Sequence, residues 1–370
     1  MKALKTLLIS AGVMALTTSC LENDDPYSSG FSFIKPATGI NGIFANNTSD
    51  SVIFYSYGKW NAASGSSWMR LSSAQGQGSM FSTLTLDFDQ NLTGEGRMAQ
   101  VNFTDISHPD DGKASLLYVQ YATRGDGSLG NAADVKAISC TDGQRIDITY
   151  DQLHRPLTLD ISRDGSTTRS LKLRYNDTDS VITIDDGSKR LTSFYNRDYQ
   201  PLKLTGDGDT LVYTNQYYSN YMPISANYAF NLEHRSATGV STIYALLLGG
   251  QSLAPDSLHC ADSLRIATYD SDATVVKKLK LQYSAYDNRH QNIDVNQLVF
   301  GIDQCDPYQL LSLFRYTRNT SILSSADEGG SGYVVEAELN ANKSVGRLTV
   351  KRKSGGVVTP DTPTVYTFEY

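Results

Sequence analysis

"ITYDQLHRPLTL", residues 148–159, and "SFYNRDYQPLKL", residues 193–204, are two versions of one phrase. Each sets a tyrosine, Tyr150 or Tyr195, six residues ahead of a proline, Pro156 or Pro201, and follows the proline with Leu-x-Leu. Proline lacks a backbone N–H, so a β-strand tolerates it at the first residue, where the missing donor lies outside the ladder. The polar residues between tyrosine and proline are turn material. Each phrase therefore reads as a strand ending at tyrosine, a turn, and a strand beginning at proline. "LRYNDTDSVITI", residues 173–184, keeps Tyr175 and the turn and puts Ser180 where the others have proline.

Hairpins of this kind cannot bury a face alone and must pair side by side. Around them, Leu171 and Leu173 alternate with Lys172 and Arg174, and Leu279 and Leu281 with Lys278 and Lys280. That is the period-two pattern of a half-buried strand. The fold class expected is all-β, with residues 136–370 forming an antiparallel meander that makes either a curled sheet or a barrel. Within "NIDVNQLVFGIDQCDPYQLLSLFRYT", residues 292–317, Asp306 can cap a short helix with Pro307 at its first position. Leu310, Leu311, Leu313 and Phe314 give that helix an apolar stripe, suited to plugging one end or covering an edge of the sheet.

The Tyr-turn hairpins, the "NIDVNQL" block, the leucine-rich helix and the closing "VYTFEY" together resemble an uncharacterised Bacteroides lipoprotein family described as having a porin-like fold. The resemblance covers residues 136–370 and brings no catalytic residues with it. It does not make the domain a pore. The strand runs are mostly shorter than the ~9 to 11 residues a tilted membrane strand needs, and a lipid anchor is redundant on an embedded barrel. A water-soluble sheet or barrel is expected.

Toward the N-terminus, residues 31–105 alternate short apolar runs with Gly, Ser and Asn punctuation, as in a β-sandwich. In "SDSVIFYSYGKWNAASGSSWMRL" a strand runs up to Trp60 and a small-residue turn leads to Trp68; "STLTLDFDQN" and "TGEGRMAQVNF" follow. This order resembles the BACON domain, an immunoglobulin-like module with a suspected carbohydrate-binding role that also serves as a spacer. The resemblance implies that Trp60 and Trp68 are buried between the sheets. Tyr55 and Tyr57 share one strand face and Phe54 the other, so a core on the Phe54 side leaves the tyrosines outside. Residues 106–135 read as a linker with one joining strand, Leu116 to Tyr121. The Arg124-Gly125-Asp126 tripeptide within it is turn sequence.

The chain opens with Lys2 and Lys5, an apolar run from Leu7 to Leu16, and then "TTSC". The run is too short to span a bilayer and fits a signal peptide, residues 1–19. "TTSC" resembles a bacterial lipobox, which implies cleavage before Cys20 and lipidation of its thiol; more than one acyl chain there suffices for stable anchoring. Glu22, Asp24 and Asp25, in a tether over residues 20–30, resemble the surface-export signal of Bacteroidetes lipoproteins. The location expected is the outer membrane, lipid-anchored, at the cell surface or else on the periplasmic face.

With 32 Lys+Arg against 39 Asp+Glu there is no electrostatic footprint for nucleic acid. His108, His154, His234, His259 and His290 show no metal-ligand spacing, and no phosphate loop, dinucleotide fingerprint or nucleophile elbow occurs. "GDGDT", with Asp207 and Asp209, reads as a hairpin turn. No cofactor and no metal are expected. Cys140, Cys260 and Cys305 leave open one disulfide with a free thiol or three thiols. Asp-Ser/Thr-aliphatic triplets, among them Asp50-Ser51-Val52 and Asp262-Ser263-Leu264, resemble the O-glycosylation sequon of Bacteroidetes envelope proteins.

Three functions remain open. The first is a non-catalytic surface lipoprotein that binds a glycan or an envelope protein, with the sandwich as spacer and the C-terminal domain as recognition body. The second is a structural component that meets protein partners, and the third a glycan-active hydrolase with converging carboxylates. The candidate ligand-binding residues are Tyr213, Tyr217, Tyr218, Tyr221 and Tyr228, the densest aromatic run, together with Tyr55 and Tyr57.

Overall fold

A computed structural model describes residues 30–370, apart from 37–39, 111, 177–180, 186, 188–189, 196–200, 207–208, 215–227, 236–240, 248–259, 270–273, 300–310 and 315–317; within 181–182, 190–259, 265–276 and 311–312 it describes backbone only. The chain divides into two compact units. One holds the residues up to Asn91 with Gly96–Tyr121, the other Leu92–Glu95 with Ala122–Tyr370.

The first unit is the expected sandwich. Its four-stranded sheet has the order β1-β3-β7-β5, from β1 (Phe31–Lys35), β3 (Ser49–Ser56), β5 (Met69–Leu71) and β7 (Met80–Phe88). The five-stranded sheet has the order β2-β9-β8-β4-β6, from β2 (Ile40–Ile43), β4 (Trp60–Ser64), β6 (Gln75–Gly76), β8 (Arg97–Asp105) and β9 (Lys113–Gln120). Alternation selects the core: Val52 and Phe54 of β3, Leu84, Leu86 and Phe88 of β7, and Val101 and Phe103 of β8 point inward from the two sheets. Trp60 and Trp68 are buried with them, and the Arg97 guanidinium lies 4.5 Å from the centre of the Trp68 ring. The run Leu116 to Tyr121, read from the sequence as a joining strand, is not a connector. It forms most of β9, pairs antiparallel with β8 and parallel with β2, and sends Leu116 and Tyr118 into the core.

The second unit resolves the choice between sheet and barrel. Its strands are β10 (Ala137–Cys140), β11 (Gln144–Tyr150), β12 (Pro156–Arg163), β13 (Ser166–Asn176), β14 (Val181–Asp185), β15 (Arg190–Tyr195), β16 (Pro201–Gly206), β17 (Asp209–Thr214), β18 (Tyr228–Arg235), β19 (Ser241–Leu247), β20 (Ser263–Tyr269), β21 (Thr274–Asp287), β22 (Ser321–Glu328), β23 (Ser331–Leu339), β24 (Val345–Ser354), β25 (Val357–Val358) and β26 (Thr364–Glu369). Each pairs antiparallel with the next as far as β25, a two-residue addition to β24. β26 pairs with both β24 and β10, which closes the barrel. Closure removes the sheet edges that a meander would otherwise expose.

The repeated phrase forms hairpins as its residues dictate. Tyr150 pairs with Pro156 and Tyr195 with Pro201, and in both hairpins the register slips by one residue on the proline strand, Leu157 in one and Leu202 in the other. Gly206 pairs with Asp209, so the strands on either side of Asp207 and Gly208, which lie outside the described residues, form an antiparallel hairpin.

The wall has an apolar inside and a charged outside. Ile146, Ile148, Leu159, Ile161, Leu171, Leu173, Leu348 and Phe368 form one buried cluster. Each such side chain contributes ~1.5–3 kcal/mol by leaving water. Their outward neighbours include Arg145, bonded to Glu369 at 2.6 Å and Asp147 at 2.9 Å, and Lys351, bonded to Glu336 at 2.6 Å. A membrane barrel shows lipid the reverse, an apolar outer band. Over the strands whose side chains are described, this wall is built to face water.

One barrel end is filled by a polar segment. Asn288, Gln291, Asn292, Asp294 and Asn296 are fully buried, and Val295–Leu298 forms a 3-10 turn capped by Asp294, whose carboxylate accepts from Asn288 Nδ2 at 2.7 Å and Gln297 Nε2 at 2.9 Å. The leucine-rich helix reduces, among the described residues, to a second 3-10 turn, Leu311–Phe314; Asp306, Pro307 and Leu310 lie outside them. Its Leu313 is buried in the barrel core, and the Leu313 carbonyl accepts from Asp294 N–H at 2.7 Å. Arg318, 1% exposed, donates to the carbonyls of Gln291 at 3.0 Å, Asn292 at 3.1 Å and Asp126 at 3.0 Å. Arg124 is likewise buried, donating to Asp134 at 3.0 Å and to the Gly130 and Ala132 carbonyls. The Arg-Gly-Asp tripeptide is thus a structural turn.

Candidate functional site

Two of the rings exposed among the described residues, Tyr57 and Phe81, gather on the outer face of the four-stranded sheet; Tyr286, also exposed, lies on β21 of the barrel. β3 directs Phe54 into the core, so period two turns Tyr55 and, just past the strand, Tyr57 outward. Register sets Phe81 of β7 directly across from Tyr55. The ring centres of Tyr55 and Phe81 lie 5.3 Å apart and those of Tyr55 and Tyr57 5.0 Å apart, both edge to face. Tyr55 is the half-buried wedge between Tyr57, 50% exposed, and Phe81, 62% exposed. Ile34 of β1, 55% exposed, adds an aliphatic margin.

The loops beneath Tyr57 are fixed by backbone contacts. Tyr57 N–H donates to the Gly30 carbonyl at 3.2 Å, Ser79 N–H to the Ser56 carbonyl at 2.7 Å, and Ser79 Oγ to the Tyr57 carbonyl at 3.2 Å. Gly78 passes so close to Gly58 that a Cβ on it would lie 2.2 Å from the Gly58 carbonyl carbon, so only glycine fits. On the same sheet Lys35 Nζ is held by Asp50 at 2.7 Å and Ser51 Oγ at 3.0 Å. Chemically the face offers ring surfaces to a ligand's apolar side.

The sequence reading singled out Tyr55 and Tyr57 and missed Phe81. The signal was present, but only as register: pairing "SVIFYS" with "MFSTLTLDF" in the observed alignment puts Phe81 opposite Tyr55. Of the other candidates, Tyr213 lies in β17 opposite Leu232, and Tyr228 opens β18 opposite Leu247. Tyr217, Tyr218 and Tyr221, like Cys20, lie outside the described residues. Burial pushes the Cys140 thiol up, Cys260 Sγ lies 3.7 Å from Thr320 Oγ1, and Cys305 lies outside the described residues. Among the described residues no group of three or more His, Cys, Asp and Glu could hold a metal ion. Two sequon serines sit in strands: Ser51 is half-buried and bonded to Lys35, and Ser263 is buried.

No protein-family model matches the chain, and no curated protein matches it. Among solved structures it is similar to a porin-like protein from Bacteroides uniformis, at 11% identity over 64% of this chain and 99% of that one, with a TM-score of 0.41. It is also similar to a GH5 xyloglucanase from Bacteroides ovatus solved with a XXXG heptasaccharide, at 15% identity and a TM-score of 0.22. That match covers 28% of this chain and 22% of the xyloglucanase, so the chain spans about a fifth of that protein's length. A third similarity, to the YadV chaperone, has 6% identity over 68% of this chain and 99% of that one and a TM-score of 0.21.

Proposed function

We propose that this chain is a non-catalytic envelope lipoprotein that captures a glycan on the outer face of its N-terminal sandwich. The observation that carries the reading is the Tyr55, Tyr57 and Phe81 cluster, with two rings at least half exposed on a rigid sheet. Large apolar rings held in water cost free energy unless a ligand covers them, and an aromatic face with nearby hydroxyls suits a sugar's apolar face and polar rim. Ser32 and Thr83, exposed on neighbouring strands of the same sheet, supply such hydroxyls. Anchoring through Cys20 at the outer membrane, with the acidic tether directing surface display, supplies the location. The barrel, with its charged exterior, serves as a body held in water beside the membrane.

The test is a glycan array probed with residues 21–370, followed by titration of any polysaccharide that binds. Tyr57→Ala and Phe81→Ala should each weaken binding by about 1–2 kcal/mol, the range of an interface anchor. A clean negative at high protein concentration rejects glycan capture. Exposed Ile34 favours a second reading, in which the same face meets an envelope protein. Cross-linking at Phe81 in cells that display the protein would then recover a protein partner.

A further inference from the structure

No further inference is drawn: the strongest candidate, the apolar hairpin tip at Val357 and Val358 on the barrel, stands beside Lys351 and Lys353 that are already paired with Glu336 and Asp327, so nothing in the structure shows what covers it.

Discussion

The Tyr150 hydroxyl donates to the Val135 carbonyl at 2.6 Å. The ladder that pairs Ala137 with Asp147 carries on to set Val135 across from Thr149, so the donor is one residue past the acceptor's opposite number. The same relation recurs around the barrel. Tyr175 donates to the Pro156 carbonyl, Tyr283 to Ala261 and Tyr370 to Val345, each at 2.7 Å. In every case the tyrosine follows by one residue the position across from its acceptor. All four strands run in the same direction, so these latches lie at one end of the barrel. Each of these tyrosines thus ties its ring into the wall and satisfies a carbonyl of the neighbouring segment.

Removing one latch should cost a definite, modest amount. Tyr150→Phe keeps the ring and leaves the Val135 carbonyl without that donor, an expected loss of about 1–2 kcal/mol. Tyr175→Phe and Tyr283→Phe should cost about as much; the Tyr150 and Tyr283 variants, on strands far apart around the barrel, should be close to additive, whereas Tyr175 bonds Pro156, the residue paired with Tyr150, so that pair should couple. Urea unfolding followed on the barrel's transition measures this. A Tyr150→Phe variant with an unchanged midpoint would mean that water replaces the hydroxyl at no cost.

The latches also set a pH dependence. Burial pushes the Tyr150 and Tyr283 hydroxyls well above the usual phenol range and Tyr370 up to about 12. A folded pKa above the unfolded value means that the folded state keeps protons the unfolded state gives up. The stability these groups contribute is therefore fully present below the ordinary phenol value of ~10 and is lost as pH rises from there through the folded value. Spectrophotometric titration should show a subset of tyrosines ionising only as the barrel unfolds. If every tyrosine titrates in one smooth step before unfolding, the latches are open in solution.

These relations separate what the sequence displays from what it withholds. The hairpins are local: tyrosine, turn and proline lie within a few residues, and β11–β12 and β15–β16 form as those residues require. Closure is not local. β10 meets β26 through pairs such as Ile138 with Phe368, and nothing near either residue encodes the other. β9 was legible as a strand but not as a member of the sandwich, because its partners β2 and β8 are fixed by tertiary pairing. Polar residues such as Asn288 and Asn292 look like surface in the sequence and are buried instead, Asn288 Nδ2 donating to Asp294 and to the Asn319 carbonyl and Asn292 Oδ1 accepting from Val135 N–H. Phe81 was hidden for the same reason as closure: its meaning depends on a strand that lies elsewhere in the chain.

Arg318 tests how much the polar plug matters. Its fork reaches three carbonyls that lie far from it in sequence, and burial draws the guanidinium down from its ordinary value. Arg318→Met fills much of the same volume but strands those acceptors in a buried setting, an expected loss of about 3 kcal/mol or more. Arg318→Lys should recover little, since a single ammonium cannot reproduce the planar fork. Thermal unfolding ranks the three proteins. Rescue by lysine to the wild-type midpoint would show that charge, not fork geometry, holds the plug.

The aromatic face gives the last prediction, in which geometry and binding are varied separately. Phe81→Ala removes an exposed ring, so stability should move by no more than about 0.5 kcal/mol while glycan affinity falls. Gly78→Ala leaves every ring in place but forces its Cβ against the Gly58 backbone. Crowding of that kind should cost about 1–3 kcal/mol and displace the loop that carries Tyr57. Affinity should therefore fall in both variants, with stability falling only in the second. Chemical denaturation paired with glycan titration on the same samples measures both quantities. If Gly78→Ala is destabilised yet binds like the wild type, Tyr57 is not part of the binding surface, and the contact must rest on Phe81 and Ile34 alone.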